Sequence, residues 1–295
     1  MIKLGDLNIK SIMLGDTPVK KVYRGTTLIW EKVDPYLSGI SIPTLGYSLR
    51  KINPAYSGNV VLAQRQSDDA EQLIGFSGDS IDTAALLNFA GSASIGVKTL
   101  FEGNGAGVNA TQTDKTKQPI IVDAGSLVTD NGLPSMDFGT LTTPKHLLIT
   151  TDILGGKLAD LYWAMTCRNY DKYGYVPFAT TNGSSYWQIG AGGGSYIQNK
   201  GTVNGSLKLT NNGSLHYFNL YATTLEVHAE VNNTSQNYDL TPTAIGTGLK
   251  TYSIGKFLGG SDWDLDGKIS EFLIYDTNQA AKADIKTNII NYYGI

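Results

Sequence analysis

Apolar and β-branched residues recur along this chain in short runs, each closed by Gly, Asn or Pro. In LGDLNIKSIM, Ile9, Ile12 and Leu14 supply an apolar face, and Gly5-Asp6 supplies turn chemistry. The same unit returns at ten-residue spacing: Leu4-Gly5-Asp6, Leu14-Gly15-Asp16, then Arg24-Gly25-Thr26, with the third pass ending in Leu28-Ile29-Trp30. Such spacing of turn signals predicts a small antiparallel meander over residues 1–32. Roughly 30 residues bury too little surface to fold well alone. The module is therefore expected to dock on its own next domain, on identical copies or on a larger particle. A strand extension of the main domain is the plainer alternative.

Residues 33–46, VDPYLSGISIPTLG, have weak periodicity and read as a linker, because Pro35 and Pro43 hold themselves and the preceding residues extended. Residues 47–295 read as one domain of many short strands closed by Asn-Gly, Asn-Asn or Gly-Gly. Two helices stand out. In IDTAALLNFAG, Asp82 is placed to cap the start and Gly91 to stop the end. In NQAAKADIKTNIINYYGI, Ala281, Ile285, Ile289 and Tyr292 fall on one helical face. A dozen or so strands with a closing helix predict an all-β protein, two packed antiparallel sheets forming a β-sandwich.

Composition agrees with that class. Glycine is 34 of 295 residues, above the usual ~7%, and charged residues are 17%, below the usual ~25%, which suits a turn-rich β protein. A net charge of −3 provides no basic footprint for nucleic acid. No apolar window approaches ~18 residues, so no membrane insertion is expected, and no signal peptide is evident. Cys167, the single cysteine, lies in the apolar run LADLYWAMTCRNY and reads as a buried, inert thiol.

Three resemblances sharpen these expectations. The pattern IKLGD…IKSIMLGDTPVKKVYRGTTLIW resembles the N-terminal segments of bacteriophage virion proteins, including tail and fibre components. It covers residues 1–32 and implies an attachment module, with Gly5, Gly15, Gly25 and Trp30 as its marks. The segment LEVHAEVNNTSQNYDL…GTGLKTYSIGKFLGGSDWDLDGKISEFLIYDTNQAAKADIKTNIINYYGI resembles a concanavalin A-like or laminin-G-like jelly-roll sandwich. YSLRKINPAYSGNVVLAQRQSDDAEQLIGFSGDSIDTAALLNFAG and GNGAGVNATQTDKTKQPIIV resemble the start of the α-L-arabinofuranosidase B catalytic domain. Relatives often carry a Trp-Tyr-Asp-Gln-Ser-Gly-Asn-Gly-like loop; here it reads Phe101-Glu102-Gly103-Asn104-Gly105, and the family's several cysteines are missing.

A retaining glycosidase needs two carboxyls ~5–5.5 Å apart. The candidates are Asp68, Asp69, Glu71, Glu102, Asp137, Asp152, Asp160, Glu226, Glu230 and Glu271, and no two align with the family's pair. GSDWDLDGKISEF begins like a calcium loop at Asp262, Asp264 and Asp266, but position 12 is Leu273 rather than the bidentate Glu. A tight Asp266-Gly267 turn is the alternative to Ca2+ at the sandwich rim. His146, His216 and His228 are scattered without zinc spacing. The dense aromatics Tyr173, Tyr175, Tyr186 and Trp187, with Trp263, suit stacking on sugar faces, subunit contacts or core and rim packing.

The combined expectation is a bacteriophage virion part: residues 1–32 bind other virion proteins, and an outward lectin-like sandwich binds host-surface polysaccharide. Symmetric virion parts favour a homo-oligomer, a trimer by guess. A virion-associated glycoside hydrolase and a purely structural connector are the alternatives. No cofactor other than Ca2+ is implied, and localisation in the virion is expected after assembly in the host cytoplasm.

Overall fold

The computed structural model describes residues 3–4, 7–8, 12–14, 17–19, 21–31, 37, 42–140, 142–151, 162–169, 175–181, 186–190, 195–199, 205–207, 214–222, 226–232, 234–239, 251–256, 265–277 and 282–295. Three hairpins come first, pairing Lys3–Leu4 with Leu7–Asn8, Ile12–Leu14 with Thr17–Val19, and Lys21–Arg24 with Thr27–Glu31. Their innermost pairs are Leu4↔Leu7, Leu14↔Thr17 and Arg24↔Thr27. In the third, Gly25 sits at the turn with φ +63°, a left-handed conformation that suits glycine. Gly5 and Gly15 lie outside the described residues, and so does the side chain of Trp30.

The sandwich opens with β1 (Leu45–Ser48), β2 (Val61–Arg65) and β3 (Glu71–Ile74), followed by α1 (Thr83–Ala90). Then come β4 (Ile95–Leu100), β5 (Ala110–Thr111), β6 (Ile120–Asp123), β7 (Met136–Asp137) and β8 (Leu147–Ile149). The second half runs β9 (Tyr162–Asn169), β10 (Tyr175–Thr181), β11 (Tyr186–Gly190), β12 (Ser195–Asn199) and β13 (Gly205–Leu207). It continues with β14 (Leu215–Ala222), β15 (Glu226–Val231), β16 (Thr234–Asp239), β17 (Thr251–Ile254), β18 (Gly267–Tyr275) and α2 (Lys282–Tyr293). β1 begins at Leu45, just inside the stretch read as linker, and Leu37 within that stretch is fully buried.

Pairing arranges these strands in two antiparallel layers. The front layer runs β3-β2-β4-β5-β8-β17-β10-β11-β12-β13. In the back layer β18 pairs with β9 on one side and with β7 and β1 on the other, and β14, β15 and β16 extend it beyond β9. β6 pairs with both β4 and β7, so the layers join there and the whole is one sheet curled on itself.

The main core lies between the layers. The front contributes Val61, Ala63, Ile95, Val97, Leu147, Ile149, Tyr252 and Ile254, and the back contributes Leu45, Tyr47, Met165, Cys167, Ile269, Phe272 and Ile274. Cys167 is buried as expected, and burial, with the Asp130 carboxylate nearby, pushes its thiol well above the ordinary range. A second core covers the outer side of the back layer, where Ile285, Ile289 and Tyr293 of α2 meet Tyr162, Ala164, Tyr217, Leu273 and Tyr275. The two faces of β18 owe this division to a bulge: Thr166 pairs with Glu271 but Cys167 pairs with Ile269, so Ser270 is the extra residue and the alternation changes phase there.

Local chemistry accounts for both helices. The Asp82 carboxylate accepts from Ala85 N–H at the start of α1, and Gly91 N–H closes its end on Leu87 O. α2 buries Ile285, Asn288, Ile289 and Tyr293. Tyr292, expected on the apolar face, is only half-buried and lies over the Arg50 guanidinium, 4.5 Å from ring centroid to Cζ.

Candidate functional site

With one face of the front layer turned to the core, its other face is the surface on which chemistry can be built. Cross-strand partners run in one unbroken row across nine strands: Leu73, Leu62, Thr99, Thr111, Leu148, Ser253, Ala179, Gln188 and Gln198. The row alternates with the core positions Val61, Ala63, Ile149 and Tyr252, so period-two geometry puts it on the outer face. Its β3 end opens to solvent, Leu73 being 53% exposed, whereas Ser253 further along is fully buried.

Beside this row, four glutamines and a histidine form a neutral polar network. Gln118 Nε2 donates to Gln64 Oε1 at 2.7 Å and to Gln112 O at 3.0 Å, and Gln118 Oε1 accepts from Gln66 Nε2 at 3.3 Å. Gln112 Nε2 lies 2.8 Å from His146 Nε2, and His146 N–H donates to Lys117 O at 2.9 Å. Gln64, Gln112, Gln118 and His146 are all buried. The network needs a glycine at its centre. A Cβ on Gly96 would stand 2.3 Å from Gln118 Oε1 and 2.5 Å from Gln66 Nε2.

Burial, then the charges of Lys256 and Lys117, push the His146 imidazole down to about 4, with Asp114 opposing them. The ring is therefore neutral near pH 7. Ion pairs flank the network: Lys98 with Glu71 at 2.5 Å, Lys115 with Asp69 at 2.6 Å and Lys117 with Asp114 at 2.8 Å. The carboxamides and the neutral imidazole spend most of their hydrogen bonds on one another, so the network stiffens this side of the layer without placing a charge on it.

The described candidate carboxylates are individually held by partners of their own. Glu102, 1% exposed, accepts backbone N–H from Gly46 at 2.9 Å, Asn104 at 2.8 Å and Ala106 at 2.7 Å, which makes it the anchor of its loop. Asp68 pairs with Arg65, and Asp137 accepts from Gly139 N–H. Glu230 holds Lys286 and Asn219, and Glu271 holds Arg50. Asp152, Asp160 and the side chain of Glu226 lie outside the described residues. No catalytic pair is assigned among the described carboxylates.

Among the sequence-predicted binding residues, Tyr173 and Trp263 lie outside the described residues, as do Asp262 and Asp264. Asp266 is half-buried just ahead of β18. Among the described residues, no group of three or more His, Cys, Asp or Glu is placed to hold a metal ion, and no helix is long and apolar enough to cross a membrane. Tyr175, Tyr186 and Trp187 have described backbones only. Tyr186 pairs with Thr181, and Trp187 with Thr180 and Asn199, so these neighbours occupy alternate register rows of β11. Sequence reasoning passed over the glutamines. Their signal was the period-two placing of Gln64 and Gln66 after Ala63, and the bracketing of the Asp114–Lys117 turn by Gln112 and Gln118.

No protein-family model and no curated protein matches the chain. Solved structures do resemble it. A GH54 α-L-arabinofuranosidase soaked with a cyclic sulfate inhibitor superposes with a TM-score of 0.61 at 15% identity, over 84% of this chain and 62% of that one. An arabinofuranosidase complexed with arabinofuranosyl-α-1,2-xylobiose gives 0.56 at 12% identity over the same shares. The binding domain of Paraclostridial Mosquitocidal Protein 1 gives 0.50 at 11% identity, over 68% of this chain and 51% of that one. The chain thus spans about three fifths of the length of these arabinofuranosidases (62%). At such identities the likeness is one of fold: a β-sandwich related to that of arabinofuranosidases and toxin binding domains.

Proposed function

We propose that this chain is a carbohydrate-binding protein that holds glycan on the outer face of its front layer. The observation that carries the reading is the continuous outer row from Leu73 to Gln198, bordered by the Gln64, Gln66, Gln112, Gln118 and His146 network. Neutral carboxamides and an uncharged imidazole along this face suit a neutral sugar, and the sandwich is shared with an arabinofuranosidase complexed with arabinofuranosyl-α-1,2-xylobiose. In the same reading the N-terminal hairpins tether the sandwich to a larger assembly, a bacteriophage particle, which displays it to host polysaccharide. What supports the tether is their serial repetition with large apolar groups in solvent, Leu14 being 78% and Tyr23 54% exposed.

The test is a glycan array with the full chain and a Thr111→Arg variant, which places bulk in the middle of the row. Retained melting temperature with lost binding is the expected result. Binding that survives the substitution unchanged would move the site elsewhere. Reducing-sugar release from the bound polysaccharide would favour the hydrolase alternative instead.

A further inference from the structure

We propose that Lys286 Nζ and Asn219 Cγ join in an isopeptide bond, formed by the chain itself with Glu230 as the group that moves the protons. The bond fastens the closing helix α2 to the back layer and, like any cross-link, restricts the unfolded chain. It stands independently of the glycan-binding reading.

The three side chains come from three elements. Asn219 of β14 and Glu230 of β15 are directly opposed across their strands, and Lys286 comes from α2. Asn219 Nδ2 donates to Glu230 Oε2 at 2.6 Å, and Lys286 Nζ donates to Glu230 Oε1. One carboxylate therefore holds the amine and the carboxamide side by side. The cluster is enclosed: Asn219 is 6% exposed, and the side chains of Lys286 and Glu230 are 21% and 17% exposed. Its strand neighbours Ala164 and Tyr217 belong to the second core beneath α2. One feature separates it from an ordinary ion pair. Asn219 Oδ1 is buried and has no hydrogen-bond partner, so the carboxamide is not at rest in its present orientation.

The chemistry balances with no further reactant. Nζ passes a proton to Glu230 Oε1, which leaves a neutral amine beside a carboxylic acid. A half-turn of the Asn219 carboxamide then puts Oδ1 where Nδ2 stood, facing the acid O–H and the Tyr217 hydroxyl, which lies 3.1 Å from Nδ2 before the turn. Tyr217 is free to donate there because it can accept from Tyr162, 2.7 Å away. Two groups that accepted from the amide now polarise its carbonyl. The Nζ lone pair attacks Cγ, the acid proton goes to the departing Nδ2, the Cγ–Nδ2 bond breaks and ammonia leaves. Glu230 takes a proton back from Nζ, which ends as an amide N–H, and passes it to the ammonia as ammonium. Nothing is oxidised or reduced, and Glu230 ends as the carboxylate it was at the start.

The experiment is intact-mass spectrometry of the full chain after incubation at neutral pH, followed by tryptic mapping. The expected result is a parent lighter than its sequence by one ammonia, no cleavage after Lys286, and a branched peptide that joins the segments containing Asn219 and Lys286. Glu230→Gln and Lys286→Arg should both keep the full sequence mass. A succinimide at an Asn-Gly step also sheds ammonia, so the branched peptide is the deciding readout. A parent at full sequence mass that is cut after Lys286, or an ammonia loss that maps to other residues, would overturn the inference. A branched peptide formed in undiminished yield by Glu230→Gln would overturn the part assigned to Glu230. Where a variant does not fold, the mass and map of the parent still decide.

Discussion

Arg50 Nε and Nη2 meet Glu271 Oε2 and Oε1 at 2.6 and 2.8 Å, a two-pronged ion pair between side chains 1% and 0% exposed. Ser48 Oγ adds a hydrogen bond to Glu271 at 2.8 Å, and the third guanidinium nitrogen donates to Asn288 Oδ1 of α2 at 2.8 Å. The pair thus joins the first strand of the sandwich, its last strand and the closing helix. Removing one member of such a pair leaves an uncompensated buried charge. Arg50→Met should therefore cost about 3–5 kcal/mol in urea unfolding, and Arg50→Met/Glu271→Leu distinctly less. A single variant as stable as the parent would mean that α2 docks by its apolar face alone.

Glu102 works by a different principle, accepting three backbone N–H groups with its two oxygens. Glu102→Gln turns one acceptor into a donor that faces an N–H. The expected loss is about 1.5–3 kcal/mol, with glycan binding on the outer face unaltered. Thermal melting beside the array measures both, and loss of binding at unchanged stability would assign this carboxylate to the ligand instead.

His146 makes stability depend on pH. Its folded value is pushed down to about 4, against 6.5 for the unperturbed ring. Below about pH 6.5 the unfolded chain therefore takes up a proton that the folded ring refuses, so stability falls as the pH drops towards about 4, and this contribution levels off below that. His146→Gln should flatten the melting temperature across that window. His216, also lowered by burial and by Arg168, titrates in both proteins and cancels from the difference. Parallel curves for parent and variant would show that His146 does not titrate this way.

Gly96→Ala tests the packing of the amide network. Its Cβ would fall 2.3 Å from Gln118 Oε1 and 2.9 Å from Gln118 Cβ, and the Gln118 amide is held by two hydrogen bonds that stop it swinging away cheaply. A loss of about 1–3 kcal/mol is expected, together with weaker glycan binding. Calorimetry and the array check both; a neutral result would mean that the network tolerates rearrangement.

Much of the local structure was legible before the fold was seen. Asp82 and Gly91 bound α1 because capping is settled within one helical turn. Gly25 marks a hairpin turn because a left-handed residue is needed there whatever lies elsewhere. Cys167 is buried because the run leading to it, Tyr162 to Met165, is apolar or aromatic and sets its strand in the core. The all-β class followed from the same short-range signals.

What the tertiary structure decided lies where partners are far apart in the chain. Ser270 is the residue by which β18 slips against β9, and only that slip brings Glu271 to the helix side to meet Arg50, 221 positions away. Asn288 and Tyr292 depart from a simple apolar helix face because the buried guanidinium draws one by hydrogen bonding and the other by its ring. His146 read as an isolated histidine, and its tautomer depends on Gln112, whose orientation depends in turn on the Asp114 backbone. Periodicity and capping are properties of neighbouring residues and can be read along a line. The pairing of buried charges and the direction of a buried N–H depend on which strands come to lie side by side, and the packing of the whole chain decides that.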